Sequence, residues 1–226
     1  MTTRVFITGG ASGLGRAIAL RYAREGAKVC IGDVNPQQGA LVEQEICKAG
    51  GEGYYVDCDV RRLKDLERVR DDLAARWGGV DIVVNNAGVA SAGSIEDTPM
   101  MNSYNVSKAG VIALSETMSQ ELRENGIHVS CVCPAFFQTN LTEGMRSVIP
   151  GIQGNVAKLM KRSTISAEDV ADDIFRAVQS NTFWVLPHVK ERRMWVLKRH
   201  APWAFDWLMH QGSKSWIKKM SAKPNS

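Results

Sequence analysis

An α/β fold with a doubly wound parallel sheet is what this 226-residue sequence predicts, on three observations. Short apolar runs alternate with stretches of helical periodicity along most of the chain. The runs are almost continuously apolar (RVFIT, KVCIG, DIVV), as strands buried on both faces must be. Strand–helix alternation persists to about residue 186, and that order builds a parallel sheet with helices on both sides.

The elements follow in order. Residues 4–8 read as a first strand, 9–15 as a glycine-rich turn and 14–25 as a helix with Ile18, Ala19 and Tyr22 at helical spacing. KVCIGD (28–33) is a second strand. Asn35 then caps a helix with Pro36 at its first position, and Gly50-Gly51 ends it. Residues 54–57 form a third strand. Residues 63–77 form a helix carrying Leu66, Val69, Leu73 and Trp77, stopped by Gly78-Gly79. Residues 81–85 are a fourth strand, 101–125 largely helix ended by Gly126, and 127–133 another strand. Ser166 caps a helix bearing Val170, Ile174 and Val178, and 183–186 is the last strand.

Composition narrows the function. An apolar fraction of 44% with 23% charged residues excludes a disordered chain. Five cysteines make no disulfide scaffold. No run of 18 apolar residues is present, so no spanning helix is expected. Met1 leads almost directly into a strand without a basic-then-apolar leader, and the expectation is a cytoplasmic protein. The net charge of +4 is uneven. From Lys190 onward nine Lys/Arg oppose Glu191 and Asp206, giving +7 there and −3 before it. The body therefore does not read as a nucleic-acid binder.

The chemistry begins at Thr8-Gly9-Gly10-Ala11-Ser12-Gly13-Leu14-Gly15, between the first strand and the first helix. Gly9 permits a tight turn, Gly13 lets backbone approach a phosphate, and Gly15 allows close packing. The helix amino end, with Ser12 and Leu14 in its first turn, offers free N–H groups to a pyrophosphate. Asp33 ends the second strand 18 residues after Gly15. A carboxylate there accepts from both adenosine ribose hydroxyls and repels a 2′-phosphate, so NAD is favoured over NADP.

At these residues the sequence resembles the short-chain dehydrogenase/reductase family. Gly9-x-x-x-Gly13-x-Gly15 is similar to its glycine motif. The resemblance assigns Asp59-Val60 to the adenine ring and Asn85-Asn86-Ala87-Gly88 to a turn lining the cofactor. It matches Tyr104-Asn105-Val106-Ser107-Lys108 to a catalytic Tyr-x-x-x-Lys. It also aligns Pro134 and Thr139 with a segment whose Thr holds the nicotinamide carboxamide, although Ala135 replaces the usual Gly. What it implies is a Rossmann-type dinucleotide-binding domain at 1–189, a basic Trp-rich tail at 190–226, and hydride transfer between NAD(P) and an alcohol or ketone. Tyr104 and Lys108, four apart, share a helix face. A free Tyr has a pKa of about 10, and a nearby ammonium favours its phenolate, so Lys108 would activate Tyr104 as general acid/base.

The family carries a further helix and strand before its catalytic Tyr, contributing an Asn and a Ser. Here fifteen residues separate Gly88 from Tyr104, too few for that unit. The sheet is therefore expected one strand short of the family's seven, with 127–133 paired directly beside 81–85. Ser91, Ser94, Ser103 and Asn102 cannot take the missing roles, because no strand presents them. Two readings stay open: an active oxidoreductase, or a catalytically impaired dinucleotide-binding protein. The oligomeric state stays open as well.

Weaker signals remain. Cys131-x-Cys133 and four scattered histidines have no metal-site spacing, so no metal is expected. The resemblance implies a substrate lid at residues 136–163, where Leu141, Met145, Val148, Ile149, Leu159 and Met160 are apolar and read either as facing a bulky apolar substrate or as packing on the body. The tail interleaves Trp195, Trp203, Trp207 and Trp216 with Lys and Arg, and Pro202 interrupts any long helix there. Contact with an acidic membrane surface, packing on the body and a subunit contact are its alternatives.

Overall fold

The computed structural model describes residues 2–88, 99–135, 137, 160 and 163–221, with backbone alone for 99–104 and 212–221. The chain divides into two compact units, Met1–Val185 and Leu186–Ser226.

The first unit runs β1 (Arg4–Thr8), α1 (Gly13–Ala23), β2 (Lys28–Asp33), α2 (Pro36–Lys48), β3 (Glu52–Asp57), α3 (Leu63–Trp77) and β4 (Ile82–Val84). It continues with α4 (Pro99–Glu121), β5 (Cys131–Val132), α5 (Ala167–Gln179) and β6 (Trp184–Val185). Four strands form a parallel sheet in the order β3-β2-β1-β4. Thr8 stands beside Gly32, and Asp33 beside Asp57, so these strands end nearly level. That carboxyl edge is where an open α/β sheet binds its ligand.

Local signals set most boundaries. The Asn35 side chain accepts from the Gln38 N–H at 3.1 Å, with Pro36 opening α2. Ser166 and Asp169 form a reciprocal capping box on α5. Gly78 closes α3 at φ 75°, a left-handed conformation that glycine adopts without steric cost.

Side chains alternate across the sheet. Val5, Ile7, Val29 and Ile31 face one core with Ile18 and Tyr22 of α1, Val42 and Ile46 of α2, and Val170 and Ile174 of α5. Phe6, Cys30 and Cys58 face the other, against Val69 and Leu73 of α3. Arg21 binds α1 to α5. Its guanidinium stacks on Phe175 at 3.9 Å and pairs with Asp172, while Tyr22 meets the Phe175 ring edge-on.

Six strands are present among the described residues, but they do not make one sheet. β5 pairs with β6 in a separate two-stranded sheet, Cys131 beside Trp184 and Val132 beside Val185. The expected pairing of 127–133 beside 81–85 is therefore overturned. The physical reason lies in α5. Val185, Phe137 and the partly buried Val132 join the core that α1 and α5 share. Burial against those helices holds the small sheet, whereas the three-residue β4 offers few ladder bonds to capture it. Among the described residues β4 pairs with β1 alone. Val83, level with Phe6, is 52% exposed, and on α4 Val106 is 71% and Leu114 59% exposed.

The second unit is a pair of helices, α6 (Val189–His200) and α7 (Pro202–Ser221). Pro202 breaks the run as expected and opens α7, where its missing N–H costs nothing. Within the pair, Lys198 lies over the Phe205 ring and Arg199 over Trp195.

Candidate functional site

Three strand ends meet at the carboxyl edge of the four-stranded sheet. After β1 the chain turns through Gly9 at φ 65° and Gly13 at φ 51°, both in the left-handed region. The Gly9 N–H donates to Gly32 O at 2.7 Å, tying the turn to β2. A Cβ on Gly15 would lie 2.1 Å from Gly9 O, and one on Gly9 would lie 2.9 Å from the Ala87 Cα. Only glycine fits either place. Ser12 is the N-cap of α1, exposed, and its side chain makes no cap bond. The first-turn N–H groups that follow it, with Leu14 half-buried among them, have no acceptor four residues back. This is an anion-binding arrangement.

Asn86 laces the β4 turn to this loop. Its side-chain amide donates to Thr8 O and Gly9 O, each at 3.0 Å. The Thr8 hydroxyl accepts from the N–H groups of Asn86 and Ala87. Asn86→Ala removes both amide donors, and a loss of about 1–3 kcal/mol is expected by urea denaturation. Thr8 is thus a positioning residue of the site as well as the first residue of the glycine turn. Its signal is a polar residue at the end of an otherwise apolar strand, here 4% exposed.

Asp33 holds its carboxylate at the edge through backbone bonds. One oxygen accepts from the Ala11 N–H and the other from the Asn35 N–H, both at 3.1 Å. The Tyr55 hydroxyl donates to Asp33 O at 2.9 Å. Tyr55 can lie there because Gly39 of α2 leaves room, as a Cβ on Gly39 would meet the ring at 2.1 Å. Asp59, just past β3, is engaged by Arg61 through Nε and the terminal guanidinium nitrogen, at 2.9 and 2.7 Å. The Arg61 side chain and backbone bonds draw the Asp59 carboxyl down to about 2, so it is anionic at any ordinary pH. Arg61 is a further residue that spacing did not reveal. Val60 beside it is 40% exposed.

Tyr104 and Lys108 both lie on α4, as the four-residue spacing predicted. The Lys108 ammonium reaches the β4 turn, 3.9 Å from where a Cβ on Gly88 would be. The Tyr104 side chain lies outside the described residues, as do Thr139, Ser91 and Ser94, and the side chains of Asn102 and Ser103. Pro134 follows β5 and is exposed. Of the expected lid at 136–163, Phe137 and Met160 are described at their side chains as buried. The sulfurs of Cys131 and Cys133 approach to 3.9 Å, and burial pushes the Cys133 thiol up to about 12. Among the described residues no group of three or more His, Cys, Asp or Glu could hold a metal.

A family model described as short chain dehydrogenase matches residues 3–101 and 89–149. The chain belongs to the short-chain dehydrogenase family. Among its relatives, the probable oxidoreductase EphD of Mycobacterium tuberculosis is 28% identical over 233 aligned positions, which cover 78% of this chain. The chain spans only 39% of the length of EphD. The (-)-isopiperitenol/(-)-carveol dehydrogenase of Mentha piperita is 30% identical over 237 positions, covering 80% of this chain and 88% of that enzyme. Among solved structures, a short-chain dehydrogenase/reductase from Burkholderia phymatum in complex with NAD matches with a TM-score of 0.77. It is 23% identical and covers 88% of this chain and 93% of that one. A short-chain dehydrogenase from Sphingobium yanoikuyae in complex with NADPH matches with a TM-score of 0.68 at 20% identity, covering 99% and 97%.

These likenesses agree with the parallel α/β architecture of this short-chain dehydrogenase.

Proposed function

We propose that this short-chain dehydrogenase is an NAD(P)-dependent oxidoreductase that interconverts an alcohol and a ketone by hydride transfer, with NAD preferred. The observation that carries it is the Lys108 ammonium beside Gly88, on the helix of Tyr104 and at the edge that holds the glycine turn and Asp33.

The residues fit a dinucleotide. Backbone packing excludes side chains at Gly9 and Gly15, and the α1 amino end leaves N–H donors for a pyrophosphate. Asp33 would accept from the adenosine ribose hydroxyls. Asp59 and Val60 would flank the adenine, Asn86, Ala87 and Gly88 the crevice floor, and Pro134 and Thr139 the nicotinamide end. When bound, the nicotinamide supplies a hydride acceptor or donor. Lys108 favours the charged phenolate of Tyr104, which takes the hydroxyl proton from an alcohol or returns it to a ketone. The Mentha relative is named for a terpenoid alcohol, and the apolar residues Leu141, Met145, Val148, Ile149, Leu159 and Met160 suit a substrate of that bulk and polarity.

The second reading, a dinucleotide-binding protein with impaired turnover, rests on the fifteen residues between Gly88 and Tyr104, too few for the family's helix-and-strand unit. Without the family's Ser hydroxyl to polarise the substrate oxygen, a loss of about a hundredfold or more is expected. The two readings separate by titrating NADH fluorescence and then screening bulky secondary alcohols with NAD. Binding with turnover supports the first and binding alone the second. No binding overturns both.

Asp33→Asn tests the coenzyme preference. It keeps an acceptor for the Ala11 N–H but removes the charge that repels a 2′-phosphate. The NADPH-to-NADH affinity ratio is expected to rise about tenfold or more, read from paired titrations.

A further inference from the structure

We propose that the Leu186–Ser226 unit is a docking surface for a lipid bilayer rich in anionic headgroups. Trp203 and Trp207 are 77% and 62% exposed and lie four residues apart, on one face of α7. Leu208 and Met209 on the same helix, and Val189 and Val196 on α6, are exposed as well. Large apolar side chains left open to water on one helix pair point to a contact site. Indole rings carry a broad apolar body and a single N–H donor, the chemistry that settles at the headgroup level of a membrane.

Charge selects the partner. The segment from Lys190 onward has nine Lys/Arg against two acidic residues, whereas the rest of the chain is net negative. Lys190, Arg192, Arg193, Lys198 and Arg199 are all exposed on α6. Two such tails repel each other, which disfavours a tail-to-tail pair. A nucleic acid would answer the charge but offers no apolar phase for Leu208, Met209 and Val196. An anionic bilayer answers both. No helix among the described residues is long and apolar enough to cross a membrane, so α7 lies on the surface. Asp206, between the two tryptophans, is the acidic residue of α7 and opposes this contact.

The test is flotation of the full chain with phosphatidylcholine vesicles, with and without phosphatidylserine. Binding is expected only with phosphatidylserine. It should be released as salt rises from about 0.1 to about 1 M, where the screening length falls from about 10 to about 3 Å. Trp203→Ser with Trp207→Ser should abolish it, with the melting transition as the control for folding. Arg192→Gln should weaken it about fivefold, and Asp206→Asn should strengthen it by a similar factor, a gain that misfolding cannot mimic. The proposal is overturned if the chain stays unbound at low salt, or if binding ignores salt and all four substitutions. It is also overturned if the tryptophans instead drive self-association without vesicles, or if the chain binds DNA while leaving the vesicles free.

Discussion

Gly15→Ala is expected to weaken NADH binding about a hundredfold or more while the chain still folds. Alanine is the better helix former, worth about 1 kcal/mol to α1. That gain is outweighed locally. The new methyl would sit 2.1 Å from Gly9 O and 2.7 Å from the Asn86 amide nitrogen, and neither is a flexible chain end. Gly9 O is held by that same amide, and the Gly9 N–H is fixed to Gly32 O. The turn must therefore shift as a body, at about 1–3 kcal/mol for the overpacking. Each lost hydrogen bond to a charged phosphate is worth about 1.5–3 kcal/mol, so displacing one or two first-turn donors gives the stated loss. Fluorescence titration checks the binding and a urea melt the fold. Unaltered NADH affinity would show that the dinucleotide does not rest on this turn.

Tyr104→Phe is expected to lower NAD reduction by an alcohol about 10²–10⁴-fold, with NADH affinity unchanged, because general acid–base transfer supplies a factor of that size. Lys108→Met should lower the rate as well and, more tellingly, move the acidic, ascending limb of the rate profile to higher pH. The sign follows from the charge. With the ammonium gone, the phenolate loses its stabiliser and the Tyr104 hydroxyl returns toward its ordinary pKa of about 10, so more base is needed to ionise it. A Tyr104→Phe protein with full activity would overturn the proposed proton carrier. A Lys108→Met protein that is slower but unshifted in pH would leave Lys108 a positioning role only.

Much of this molecule was legible because its signals are local. Asn35 capping α2, Ser166 capping α5 and the glycines closing α3 act across three or four residues, and each stands where its type and spacing placed it. The alternation of apolar strands and amphipathic helices likewise called for a parallel sheet covered on both faces, because buried strands cannot be polar on either side. The glycine turn and Asp33 meet at one edge because a short βαβ connection leaves them no other place.

What the sequence could not determine is how the second half joins the first. Residues 127–133 have the composition of a seven-residue strand, yet only Cys131–Val132 pairs, because a strand extends only as far as its partner does. That partner is β6, fixed by the burial of α5 on α1, a contact between residues some 150 apart such as Arg21 and Asp172. The reach of Lys108 to Gly88, twenty residues back along the chain, is also a tertiary contact. Residue type and spacing determined the dinucleotide edge. The division of the described strands into two sheets and the exposure of the α7 tryptophans were decided by tertiary packing, since burial depends on which surfaces meet rather than on which residues are neighbours in the chain.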